Sequence, residues 1–133
     1  MNVFVDTSAI LSLLDPNDIS HALAAKVWRR LTNEKDKLLT TNYVVVETCS
    51  LLQTRSGIQA VREFQAVIVP LLNIVWINEQ MHKDALEAML LASQRRLSLV
   101  DCSSMIIARR YNIQTFFAFD RHFTQRGFIC LTA

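Results

Sequence analysis

Val3, Phe4 and Val5 form a β-branched and aromatic run too short for a buried helix. The period then changes, with Ala9, Ile10, Leu13 and Leu14 recurring at helical spacing until Asp15-Pro16-Asn17-Asp18 breaks the pattern. The pattern predicts a strand followed at once by a helix. Ser20 is placed to cap a second helix, with Leu23, Val27, Trp28 and Leu31 inward and Lys26, Arg29, Arg30 and Glu34 in water. Leu38–Thr40 reads as a strand. Thr41 or Asn42 then caps a helix whose inward stripe is Tyr43, Val46, Ser50 and Leu51, although the valine triplet also suits a strand. Gly57 punctuates, a helix follows over residues 58–69, and Pro70 stops it.

Residues 74–77 read as a strand, followed by an amphipathic helix from Asn78 to about Gln94 with Met81, Ala85, Leu86, Met89 and Leu90 inward. Another helix runs from Val100 to Arg110, and strands at 114–119 and 128–131 close the chain. No repeat, linker or low-complexity tract interrupts the series. Strands alternating with helices predict a parallel sheet covered on both faces. In such a sheet the functional crevice lies beyond the carboxyl ends of the strands.

Four acidic residues fall where apolar runs end: Asp6 after Val5, Glu47 after Val46, Asp101 after Val100 and Asp120 after Phe119. Asp6 and Asp120 end expected strands, and Glu47 and Asp101 lie early in helices that follow strands, so all four point to one end of the sheet. Two carboxylates about 4 Å apart repel by about 4 kcal/mol at an effective dielectric of 20. Four gathered without a cation would drive some to protonate. A hard divalent cation relieves that repulsion and leaves coordination positions for phosphate oxygens. The plainer roles are local: Asp6 and Asp101 as helix caps, Asp120 opening a turn with Arg121 and His122, Glu47 as a solvated helix residue.

Composition narrows the class. The chain has 133 residues, 51% of them apolar, with two glycines and two prolines, which fits one compact domain over residues 1–133. A net charge of +2 allows a nucleic-acid partner without demanding one. Cys49, Cys102 and Cys130 are odd in number, far apart and set in apolar stretches, which fits reduced thiols rather than a disulfide frame. No Cys-x-x-Cys pair occurs, and His21, His82 and His122 lack ligand spacing, which disfavours zinc. The start of the chain lacks a signal-peptide pattern and no apolar run reaches the ~20 residues of a membrane span, so a cytoplasmic protein is expected. Trp28, Trp76 and the seven phenylalanines are expected in the core.

Taken in order, Asp6-Thr7-Ser8-Ala9, Thr41-Asn42-Tyr43-Val44-Val45-Val46-Glu47-Thr48, Ser98-Leu99-Val100-Asp101-Cys102 and Phe117-Ala118-Phe119-Asp120-Arg121-His122-Phe123 resemble the successive motifs of PIN-domain proteins. They are most similar to the small stand-alone kind that includes the VapC toxins. The resemblance spans nearly the whole chain and is weakest over residues 58–96. It implies a single Rossmann-like α/β/α sandwich with a central, mainly parallel sheet, and a metal-dependent endoribonuclease. Asp6, Glu47, Asp101 and Asp120 match the acids that hold Mg²⁺ or Mn²⁺ and carry catalysis, and Ser8 matches a hydroxyl supporting the first of them. Arg121, the cation nearest the acids in sequence, is a candidate RNA contact.

The resemblance also implies an RNA substrate, a VapB-type antitoxin as protein partner and a homodimer, with Leu11, Leu14 and Trp28 as candidate dimer residues. A haloacid-dehalogenase-type phosphotransferase needs an acid two positions after the first Asp, where Ser8 stands. A response-regulator receiver needs an acidic pair and a late lysine that are missing here. A PIN-like module that binds RNA or protein without cutting stays open as the alternative.

Overall fold

The computed structural model describes residues 1–132. Strands β1 (Asn2–Val5), β2 (Lys37–Thr41), β3 (Asn73–Val75), β4 (Thr115–Phe117) and β5 (Ile129–Cys130) make one sheet in the order β3-β2-β1-β4-β5. Every pairing is parallel. Helices α1 (Thr7–Leu14), α2 (His21–Asn33), α3 (Asn42–Ser56), α4 (Ile58–Glu63), α5 (Glu79–Ala92), α6 (Leu99–Arg110) and α7 (Arg121–Gln125) connect the strands. The expected α/β fold with a parallel sheet is therefore present. None of the described helices is long and apolar enough to cross a membrane.

The strand order sets the functional end of the molecule. The chain moves outward from β1 through β2 to β3, then returns to the other side of β1 for β4 and β5. The order thus reverses between β1 and β4, and adjacent crossovers diverge there and open a crevice beyond the strands' carboxyl ends. Asp6 follows β1 directly, and its backbone N–H donates to Phe117 O at the end of β4, 3.1 Å away.

β1 is central, and Val3, Phe4 and Val5 are fully buried. Phe116 packs against Phe4 (ring centroids 4.9 Å apart), Phe123 (4.5 Å) and Phe128 (4.7 Å), joining β1, β4, α7 and the approach to β5. Phe116→Ala would remove the centre of that cluster. It is expected to destabilise the fold by about 3–5 kcal/mol, measured by urea denaturation. A loss below about 1 kcal/mol would mean that the cluster rearranges to fill the gap.

Several expected faces turn out differently. α3 buries Val44, Thr48 and Leu52; of the expected stripe, Tyr43 packs partly buried against the core, Leu51 is half-buried, and Val46 and Ser50 are exposed. Three consecutive valines carry no period, so the helix rotation is set by its ends and neighbours. Thr41 Oγ1 caps the helix by accepting from Val44 N–H (3.2 Å), and α3 meets α1 on one side and α6 on the other. On α5, Met81, Ala85 and Met89 pack inward as expected, but Leu86 and Leu90 face solvent. Leu23 and Trp76 are also exposed, while Trp28 stacks on Phe117 as expected of a core ring.

Ser20 makes no side-chain cap; its N–H instead donates to Asp18 Oδ1 (2.8 Å), and α2 begins with an ordinary turn. The expected helix over residues 58–69 is α4 continued by a π turn (Phe64–Ile68) and a 3₁₀ turn (Val69–Leu71) containing Pro70. Pro70 cannot donate to an α-helical bond, so the run tightens and ends. Leu11, Leu14 and Trp28 are half-buried and pack against the core, not fully outward. Short α7 was read only as a turn.

Candidate active site

Each of the four acids is delivered by a different element. Asp6 is the N-cap of α1, and its Oδ2 accepts from Ser8 N–H (3.1 Å) and Ser8 Oγ–H (2.6 Å). Glu47 lies on the second turn of α3. Asp101 is the third residue of α6 and forms a capping box with Ser98: Ser98 N–H donates to Asp101 Oδ2 (3.2 Å) and Asp101 N–H donates to Ser98 Oγ (3.0 Å). Asp120 caps α7, with Oδ1 accepting from His122 N–H at 2.9 Å. Asp6 thus does cap its helix and Asp120 caps α7, whereas the cap of α6 is Ser98, with Asp101 as its capping-box partner one turn in. A cap engages one named oxygen, and a carboxylate has a second.

The four acids line a single open cavity of about 490 Å³ together with Thr7, Ser8, Ser98 and Phe119. Thr7 Oγ1 donates to Val44 O (3.4 Å) and Thr48 Oγ1 donates to Thr7 Oγ1 (3.1 Å), tying α1 to α3 and fixing the base of Glu47 relative to Asp6. Ser8 Oγ in turn accepts from Phe119 N–H (2.9 Å), so one hydroxyl joins the start of α1 to the chain just before Asp120.

Electrostatics follow from that crowding. Burial pushes the Asp6 carboxyl up to about 7; the two Ser8 hydrogen bonds oppose the rise, and the charges of Asp101 and Glu47 add to it. Burial also raises Glu47, against the nearby Thr7 hydroxyl and with help from Asp101 and Asp120. Asp101 is raised by burial first, opposed by Ser98 and reinforced by Asp120. These carboxylates lose solvation and face one another, and the opposing charge that acts on Asp101 is that of His122. The four acids themselves offer only hard oxygen donors, which Mg²⁺ and Mn²⁺ favour.

Arg121 lines a neighbouring cavity of about 670 Å³ with Arg95, Arg96, His122 and Gln125. Phe119 and Asp120 border both cavities. Two residues near the acids were not anticipated from the sequence. Arg55 lines the acid cavity; it stands eight positions after Glu47, two helical turns along the same face, and that spacing was available as a signal. His122 lacks ligand spacing to the other histidines, yet its ring lies beside Asp101 and Asp120. Its place two residues after Asp120 carries no helical signal, because the five residues of α7 are too few to show a period. The thiols of Cys49, Cys102 and Cys130 are all raised by burial, which keeps them protonated and unreactive.

Ser8→Ala would leave Phe119 N–H without its acceptor and remove one bond from Asp6. A loss of about 1–2 kcal/mol is expected, seen as a Tm lower by roughly 3–8 °C. An unchanged melting temperature would show that solvent replaces the hydroxyl on both sides.

The PIN domain family model matches residues 3–129. Over 128 residues the chain is 29% identical to the 23S rRNA-specific endonuclease VapC20 of Mycobacterium tuberculosis, covering 96% of this chain and 95% of that protein. Ribonuclease VapC26 of the same organism is 27% identical over 127 residues, with 92% and 90% covered. The crystal structure of M. tuberculosis VapC20, described as a sarcin–ricin loop cleaving toxin, matches with a TM-score of 0.83 at 30% identity over 96% of each chain. FitAcB from Neisseria gonorrhoeae shares the fold, with a TM-score of 0.69 at 14% identity over 98% of this chain and 96% of that one.

Proposed function

The chain belongs to the PIN-domain family, and from that premise we propose that it is a divalent-metal-dependent endoribonuclease, the toxin of a toxin–antitoxin pair. The observation that carries this reading is the convergence of Asp6, Glu47, Asp101 and Asp120, from four separate elements, on one open cavity at the strand-order reversal. Raised carboxylates in a shared cleft fit a cation-binding donor set, and these four residues would hold Mg²⁺ or Mn²⁺. When bound, the cation would activate water and neutralise charge developing on the phosphoryl group.

The chain's own residues prepare that chemistry. Ser8 fixes one oxygen of Asp6 and Ser98 fixes one of Asp101, so the remaining oxygens enter the cavity at defined positions. Arg121, with Arg95 and Arg96, offers positive charge along the adjoining cavity, where an RNA backbone leading to the acids would be neutralised. The relatives' activities support RNA as the substrate, and 23S rRNA with its sarcin–ricin loop, on which VapC20 acts, is the first to try. The same reading makes a VapB-type antitoxin the protein partner and a homodimer the working assembly.

The test is cleavage of a structured RNA pool, including the sarcin–ricin loop, by the purified chain freed of any bound antitoxin. Parallel reactions contain Mn²⁺, Mg²⁺ or chelator. Discrete cuts that need a divalent cation are expected; a folded protein that cuts nothing with either metal would overturn the nuclease reading in favour of a binding module.

A further inference from the structure

Among the described residues, the group of side chains at metal-ligand spacing is not purely acidic. One carboxylate oxygen each from Asp101 and Asp120 and one ring nitrogen of His122 lie within 4.8 Å of one another. Three ligands on one cation, each about 2.2 Å away, stand about 3.1–3.8 Å apart. Three atoms no more than 4.8 Å apart fit around a common centre at most about 2.8 Å from each, so small side-chain adjustments of about 0.6 Å would bring all three to bonding distance. We propose that His122 is a nitrogen ligand to the cation held by Asp101 and Asp120, and that this imidazole makes the site select Mn²⁺ over Mg²⁺.

The local structure aims the ring. Asp120 Oδ1 accepts from the His122 backbone N–H, and the same oxygen lies 3.6 Å from His122 Nε2. The cap thus curls the first turn of α7 so that side chain and cap share one small volume. A separation of 3.6 Å is too long for a good hydrogen bond but suits two atoms waiting on a common ion. The ring is four-fifths buried, which limits the rotamers it can use to escape. Asp101 lines the acid cavity, His122 lines the arginine cavity and Asp120 borders both. The cluster therefore stands at the junction that an RNA strand passing between them would cross.

Selectivity follows from ligand chemistry. Imidazole binds later first-row metals well, whereas Mg²⁺ favours oxygen and gives up its water reluctantly. An Asp₂His set accordingly gains affinity for Mn²⁺ that Mg²⁺ does not share. The inference rests on the metal-dependent reading above, but it concerns binding and can be tested without any substrate.

The first measurement is electron spin-echo envelope modulation of Mn²⁺ bound to the wild-type chain, which reports directly coordinated ¹⁴N. Nitrogen coupling is expected, and its loss in His122→Asn identifies the source. Calorimetric titration should show the Mn²⁺ affinity falling at least about tenfold in that variant, with Mg²⁺ affinity within about threefold of wild type. Bound Mn²⁺ without ¹⁴N coupling in the wild type overturns the inference and leaves the nuclease reading intact. So does an equal fall for both metals. Nitrogen-coupled Mn²⁺ on a chain that cuts no RNA would keep the ligand assignment while removing the nuclease.

Discussion

Asp101→Asn is expected to lower RNA cleavage by at least about 10³-fold while leaving the protein folded. The substitution keeps shape and keeps a side-chain oxygen able to accept from Ser98 N–H, and the reciprocal bond from the residue's own N–H to Ser98 Oγ does not involve the side chain. The capping box therefore survives, and the stability change should stay within about 1 kcal/mol. What disappears is a negative charge in a cavity where Asp6, Glu47 and Asp120 also face inward. If that charge holds the cation that stabilises the transition state, several kcal/mol of stabilisation goes with it. About 4 kcal/mol corresponds to 10³ in rate. Single-turnover cleavage in Mn²⁺, beside a thermal melt of each protein, separates the two effects. Cleavage within tenfold of wild type would remove Asp101 from the catalytic centre.

Metal-free protein is expected to lose stability as pH rises, and Asp6→Asn to remove much of that loss. The Asp6 carboxyl stands near 7 in the folded chain against an ordinary value of 3.8. A raised carboxyl binds its proton more tightly when folded, so its contribution is fully present below about pH 4 and is lost as pH climbs through about 7. Glu47 and Asp101 shift in the same direction. For Asp6 alone the span sets a ceiling on the order of 4 kcal/mol, which relaxation and water entry would reduce.

Asparagine carries no charge to desolvate and can still accept from Ser8. In chelator near pH 8 the variant should melt several degrees above wild type, and near pH 5 the gap should narrow. Adding Mn²⁺ near pH 8 should raise the wild-type melting temperature more than the variant's, because binding to the folded state alone adds stability. Calorimetric melts from about pH 5 to pH 8 test this. A wild-type Tm that stays flat or rises over that range would show that the acids are solvated and unstrained.

Much of the fold was legible because strand and helix periods alternate cleanly, and a parallel sheet is the packing that buries such a series. The acids were legible because each ends an apolar run. Helix rotation was less so. On α3 the valine triplet and on α5 the leucines at 86, 90 and 91 are apolar on more than one side, so hydrophobicity alone could not choose the inward face. The five residues of helix α7 carry too little period to mark a helix, so the position of His122 is not legible either.

The amino-acid sequence by itself determined the alternation of elements, the parallel sheet and the four carboxylates at its functional end, because these depend on local period and on where apolar runs stop. Tertiary structure alone decided which side chains share a volume. The reversal of strand order between β1 and β4 brings Asp6 beside the approach to Asp120, and Ser8 bridges the two segments through Phe119 N–H. The short helix after β4 turns His122 toward Asp101 and Asp120. Residues more than a hundred positions apart meet through packing and chain crossover, and neither leaves a periodic trace in the sequence.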